Sequence, residues 1–179
     1  MVHSTVAKDT QIKWDLELIQ RYDLSGPRYT SYPTAIQFDP ALSPAQLVEA
    51  GQRTTDSSAP LSLYFHIPFC THVCYFCACN KMITRNKKRA APYLAELYKE
   101  MATLSNLYSN NRIVNQLHWG GGTPSFISDD EMRQLMAETR KHFRLRDDDQ
   151  GDYSIEIDPR EADAERMKVI RELGFNRIS

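Results

Sequence analysis

Four cysteines crowd into one short stretch, Cys70-Thr71-His72-Val73-Cys74-Tyr75-Phe76-Cys77-Ala78-Cys79, and no other part of the chain has any. Cysteines that staple a fold are usually spread along it. Thiols this close leave several pairings strained, and a reducing compartment disfavours disulfides altogether. Metal binding is the better reading. A zinc site takes four ligands, commonly as two C-x2-4-C pairs separated by a longer loop, and no second pair lies at a distance here. A four-thiolate electron-transfer cluster is possible in principle. However, a single residue separates Cys77 from Cys79, which is awkward for two corners of one cube.

A three-thiolate 4Fe–4S cluster explains the loop better. The fourth iron then stays open, and an open iron can chelate the amino and carboxylate groups of S-adenosylmethionine. One electron from such a cluster cleaves a carbon–sulfur bond and makes a 5′-deoxyadenosyl radical. The cofactor does the hard chemistry; the protein positions it and excludes water and oxygen. Other residues could serve such a site. Gly120-Gly121-Gly122 allows close backbone approach to a ligand, although three glycines alone are also a tight turn. Glu156 lies in an otherwise apolar strand and could accept hydrogen bonds from a ribose, or be a surface charge. His66 is the candidate catalytic residue because its titration range suits proton handling, although a lone strand histidine is commonly a satisfied core group. His72 could hydrogen-bond to cluster sulfur. Arg28 is either a guanidinium for a substrate carboxylate or an ordinary loop arginine.

Several elements must position these groups. Leu61 to Ile67 reads as a strand running into the cysteine loop, Gln116 to Trp119 as a second ending in the glycines, and Tyr153 to Ile157 as a third. Phe175 to Ser179 begins a fourth. Leu94, Leu97, Met101 and Leu104 recur at helical spacing, so a helix is expected from about Lys88 to Tyr108, with Pro92 in its first turn. Ser128 and Glu131 form a capping box for a second helix. Ala162 to Leu173 reads as a third, stopped by Gly174. Alternating strands and helices predict a parallel β/α architecture with right-handed crossovers. Functional groups at strand ends are what a β/α barrel requires. A full barrel takes roughly 250 residues, so 179 residues ending as a fourth strand begins imply an incomplete barrel. The fold expected is α/β: the first half of a barrel over 59–179, preceded by a small helical and irregular segment over 1–58. In that segment, residues 1 to about 12 lack periodicity. A short helix ends near Tyr22 and Ser25-Gly26-Pro27 breaks it; Ser43-Pro44 opens another helix, through about Arg53.

Composition excludes some classes. The net charge of −1 gives no field to draw nucleic acid or an anionic membrane. The basic run Arg85 to Arg89 reads as a solvated helix start. No apolar run is long enough to span a bilayer, and residues 1–10 have no hydrophobic signal core. A cytoplasmic location, with reduced thiols, is expected.

The C-x3-C-x2-C spacing after a first strand, with Phe76 just before the third cysteine, resembles the radical S-adenosylmethionine superfamily. The likeness narrows at four segments: Tyr64 to Cys70 continuing into Cys77-Ala78-Cys79-Asn80-Lys81; Ser25 to Pro33; His118 to Pro124; and Glu156 to Glu161. These are similar to oxygen-independent coproporphyrinogen III oxidases from about residue 15 onward. The family's remaining barrel and C-terminal domain would be absent, and a chain so truncated is expected to be inactive. The resemblance implies that Cys70, Cys74 and Cys77 ligate the cluster and that Cys79 does not. It implies two S-adenosylmethionine molecules, the first contacted by Tyr64, Gly121 and Glu156, the second by Phe76, Gly122 and Thr123. It further implies oxidative decarboxylation of two propionates of coproporphyrinogen III to vinyl groups, giving protoporphyrinogen IX in haem synthesis. The expected partners are the porphyrinogen substrate and an electron donor to the cluster, with no nucleic acid, no membrane and a monomer at full length. The alternatives are a haem-binding chaperone of the same superfamily and a relative acting on haem. The chaperones usually lack the Gly26-Pro27-Arg28-Tyr29 segment and the pattern around Cys79, and both are present here.

Overall fold

The structure is a computed structural model, and it describes residues 14–23, 34–55, 58–108 and 111–179. The expectations for residues 1–12, the Ser25-Gly26-Pro27 break and Arg28 lie outside those residues. The chain divides into two compact units, residues 1–42 and 43–179. In the first, helix α1 (Leu16–Tyr22) is capped by the Asp15 carboxylate, which accepts from Leu18 N–H, and a 3-10 turn spans Ala35–Gln37.

The second unit opens with α2 (Pro44–Thr55), which packs against α3 (Ala90–Tyr108). A methyl group at Gly51 would come 3.3 Å from Leu107 Cβ, so the absence of a side chain there is what permits the close approach. The sequence reading placed α2 with the N-terminal segment; in the structure it lies in the same unit as the sheet. The sheet is parallel throughout. Strand β1 (Leu61–Ile67) pairs with β4 (Ile113–Gly121), β4 with β6 (Asp152–Ile155), and β6 with β7 (Arg177–Ile178). Between them lie α3, α4 (Asp129–His142) and α5 (Ala164–Glu172). This is the parallel β/α order expected of a partial barrel.

Some boundaries moved, each for a local reason. α3 starts at Ala90 because Asn86 caps a 3-10 turn over Lys87–Arg89. α5 starts at Ala164 because the Asp163 side chain accepts from Arg166 N–H. β4 is longer than expected at both ends, since the two-residue β5 (Arg144–Leu145) pairs with Ile113 and Val114 and β1 pairs with it through to Gly121. β6 stops at Ile155, one residue before Glu156. The Ser128 capping box is present as read, with the Ser128 hydroxyl accepting from Glu131 N–H and Glu131 accepting from Ser128 N–H.

The core lies on one side of the sheet. Alternate strand residues Phe65 and Ile67, Leu117 and Trp119, and Ile155 are buried among the helices. Trp119 is fully enclosed, with its ring edge-on to Phe175 at 4.8 Å and to Phe65 at 6.5 Å. Strand residues in between point to the other face. There stand Tyr64, His66 and His118, part exposed, with Glu156 just beyond the end of β6.

Candidate active site

The cysteine loop is stapled at both ends. After Pro68, β2 (Phe69–Cys70) pairs with β3 (Met82–Ile83), and Met82 N–H and Thr84 N–H donate to Pro68 and Cys70 carbonyls at 2.7 and 2.9 Å. The glycine turn is stitched to the start of the same loop: Gly122 N–H donates to Ile67 O and Thr123 N–H to Phe69 O, both at 2.8 Å. The backbones come so close that a methyl at Gly122 would lie 2.7 Å from the Pro68 carbonyl. His66 adds a third tie. Its Nε2 lies 2.8 Å from Asn80 O, and a carbonyl only accepts, so Nε2 carries the proton. Nδ1 is then the acceptor for the Tyr64 hydroxyl at 3.0 Å. Both ring nitrogens are engaged, one of them on the cysteine loop.

All four cysteines are free. Cys70 is buried, with the Thr123 hydroxyl donating to its Sγ at 3.6 Å. Burial pushes the Cys70 thiol up, while the Thr123 hydrogen bond opposes it. Cys77 and Cys79 diverge. The Cys79 backbone N–H, with lesser help from Lys81 and the Cys79 side chain, lowers the Cys77 thiol. Burial raises Cys79, and its hydrogen bond to Cys77 adds to this. The two neighbouring thiols are thus pushed in opposite directions, Cys77 toward the ligating thiolate form and Cys79 away from it. Tyr75 and Phe76 stand 95% and 91% exposed, edge to face at 4.9 Å.

Glu156 meets the glycine turn. Its Oε2 accepts Gly121 N–H at 2.9 Å, and its Oε1 lies 3.4 Å from His118 Nε2. Gly121 has φ +111°, a conformation that favours glycine, and a methyl there would lie 2.5 Å from the His66 ring. Tyr64 stacks on His118 with ring centroids 5.6 Å apart. Burial first, and the Glu156 carboxylate second, raise the Tyr64 phenol. A cavity of about 490 Å³ joins the two regions, lined by Cys74, Cys79, Gly122, Thr123, Glu156 and Arg160 among others. The structure therefore brings together the cysteine loop, the glycines, Thr123, Tyr64, His66 and Glu156. Phe76 lines none of this cavity. His118 and Ser154 are the participants that sequence reasoning missed. Period-two alternation back from Glu156 points to Ser154, but the pairing with His118 follows only from strand register.

A cluster fits the donor set. Among the described residues, the group of three ligating side chains close enough together for a single ion is His72, Asp158 and Glu161, with no cysteine among them. The Asp158 carboxylate is already engaged, with Arg160 Nε and Nη2 forked onto it at 2.9 and 2.7 Å, so a cation there would have to displace the guanidinium. The cysteine loop instead offers free thiols, the soft ligands that suit iron–sulfur clusters. The Thr71 hydroxyl, buried in the same loop without a partner among the described residues, would find a sulfur acceptor there.

The Radical SAM superfamily model matches residues 64–179, which defines the class of the fold and the loop. Oxygen-independent coproporphyrinogen III oxidase of Pseudomonas aeruginosa is 56% identical over 168 residues, covering 94% of this chain and 36% of that protein. The protein of the same name from Mannheimia haemolytica is 47% identical over 150 residues, 84% of this chain and 99% of that sequence. The solved structure of coproporphyrinogen III oxidase from Escherichia coli, described as a radical SAM enzyme, matches with TM-score 0.79 and 42% identity, over 94% of this chain and 36% of that one. The chain belongs to the radical SAM superfamily and, within it, to the family of the oxygen-independent coproporphyrinogen III oxidases. It spans about a third of the length of the first of these relatives, 36%.

Proposed function

We propose that this chain forms the cluster-binding part of an oxidoreductase that decarboxylates two propionates of coproporphyrinogen III to vinyl groups, giving protoporphyrinogen IX. The observation that carries the reading is the convergence of the cysteine loop, the glycine turn and Glu156 on one cavity at neighbouring strand ends, in a chain 56% identical to an enzyme of that name. Cys70, Cys74 and Cys77 would hold a 4Fe–4S cluster. Tyr64, Gly121 and Glu156 would contact one S-adenosylmethionine, and Phe76, Gly122 and Thr123 a second. When bound, these groups supply one-electron chemistry for removing hydrogen from a propionate side chain. The chain's own residues position and shield. Thr123 donates to the Cys70 sulfur, and His66 fixes the far end of the loop. Hydrogen bonds to ligand sulfur tune a cluster's potential. An electron donor must reach the exposed loop. No helix among the described residues is long and apolar enough to cross a membrane, and we place the protein in the cytoplasm, as a monomer at full length.

Anaerobic reconstitution of the chain with iron and sulfide tests the ligand set. About four irons per chain are expected. Cys70→Ser, Cys74→Ser and Cys77→Ser should each lose them, while Cys79→Ser should keep nearly all. Equal loss in Cys79→Ser would contradict the assignment. Glu156→Gln should keep the iron and weaken S-adenosylmethionine binding by roughly 1–3 kcal/mol, the usual loss for a hydrogen bond to a charged group.

A further inference from the structure

Tyr64, His118, Ser154 and Arg177 stand in register on four neighbouring strands. Contacts join them end to end. Arg177 Nη2 donates to Ser154 Oγ at 3.4 Å, and Ser154 Oγ lies 2.6 Å from His118 Nδ1. His118 Nε2 lies 3.4 Å from Glu156 Oε1, and the other carboxylate oxygen accepts Gly121 N–H at 2.9 Å.

The protons along this row can be assigned. A guanidinium only donates, so Ser154 oxygen accepts from Arg177 and its own O–H is available to Nδ1. A carboxylate only accepts, so a favourable contact with Glu156 needs the proton on Nε2. Acceptor at Nδ1 and donor at Nε2 is one neutral tautomer of the imidazole. An independent observation marks the same contact as built. A methyl group at Gly120 would lie 2.7 Å from His118 Nε2 and 3.1 Å from the Glu156 carboxyl. The first glycine of the turn is what leaves room for this pair.

We propose that His118 is a positioning residue for S-adenosylmethionine, held by Ser154 as the Nε2–H tautomer so that it aims the Glu156 carboxylate and backs the Tyr64 ring. Without the imidazole, Glu156 keeps one tether, Gly121 N–H, and can rotate about it. With it, both oxygens are fixed before a ribose arrives, so less ordering remains at binding. The inference rests on the functional reading above, because Glu156 and Tyr64 matter here as cofactor contacts.

Two measurements on the full chain test it. In the chain labelled with 15N-histidine, the resonances of five histidines are assigned with the help of His118→Phe. His118 should show the Nε2–H tautomer, and Ser154→Ala should abolish that fixed preference. An Nδ1–H tautomer in the unsubstituted chain overturns the proposal whatever the variants do. After reconstitution, S-adenosylmethionine affinity is measured by equilibrium dialysis beside iron content. His118→Phe keeps a ring against Tyr64 but loses the donor, and should bind roughly tenfold more weakly at unchanged iron. His118→Gln, whose amide nitrogen can replace Nε2, should recover most of that loss. Unchanged affinity in His118→Phe, or equal losses in both variants, overturns the positioning role and leaves the functional reading standing. An unsubstituted chain that holds iron and binds no S-adenosylmethionine overturns the functional reading itself.

Discussion

At the residue scale, the three consecutive glycines have three different reasons, and they predict three different responses to substitution. Gly120→Ala pushes against the ends of two side chains, His118 and Glu156, that can shift. Gly121→Ala meets the His66 ring and also takes an alanine to φ +111°. Gly122→Ala meets backbone, the Pro68 and Phe69 carbonyls. The expected order of destabilisation in a denaturant titration is Gly120→Ala least, then the other two by about 1–3 kcal/mol each. A second substitution at His66 should relieve Gly121→Ala only in part, because the backbone strain stays. Equal costs at all three positions would contradict this. The cysteine loop was legible because its residue types and spacing are local facts. The reasons for the glycines were not, since each is set by a neighbour from another segment. His118 escaped notice for the same reason: nothing adjacent in sequence announces a carboxylate 38 residues further on.

At the element scale, the helices were read well wherever caps spell themselves out. Ser128 and Glu131 gave α4 its start, whereas the start of α5 shifted by two because Asp163 took the capping role. Strands were read less well at their ends. β5 has two residues, too short for any alternation to register, and pairing with a longer strand is what makes it one; β7, read within Phe175 to Ser179, keeps only Arg177 and Ile178. Helix α3 carries a test of its packing. The Tyr98 hydroxyl is buried against the core without a hydrogen-bond partner among the described residues, and burial pushes its phenol up to about 12. An unpaired buried hydroxyl contributes nothing that a hydrogen atom would not. Tyr98→Phe is therefore expected to leave stability unchanged or raise it by up to about 1 kcal/mol at neutral pH. Between pH 10 and 12 the unfolded chain sheds a phenol proton that the folded chain keeps, so the stability of the unsubstituted chain falls as pH rises. The advantage of Tyr98→Phe should widen across that window. Urea titrations at pH 8 and pH 11 measure both effects, and a constant difference would refute the second.

At the scale of the whole molecule, the parallel order of the sheet was legible from the alternation of strand and helix patterns. The division of the chain was not, because the hold of α2 on α3 depends on Gly51 meeting Leu107, a contact far apart in sequence. Arg112 adds to this hold by donating to the Thr54 and Ala59 carbonyls, at 3.2 and 2.7 Å. Removing residues 1–42 is expected to leave cooperative unfolding of the remainder intact. Removing residues 1–58 should lower its midpoint further, since α2 is then lost from α3. Identical midpoints for the two shortened chains would place the boundary where the sequence suggested. The sheet also separates two kinds of duty by parity alone. Trp119 and Ile155 are sealed among helices, while His118 and Glu156, one position along, remain part exposed on the opposite face. Neighbours in the chain thus answer to different physical demands. Phe65, Ile67, Leu117 and Trp119 serve the core, and Tyr64, His66 and His118, alternating with them, face the candidate site. A lineage can redraw the recognition face of such a sheet, residue by residue, while the scaffold that bears it is inherited unchanged.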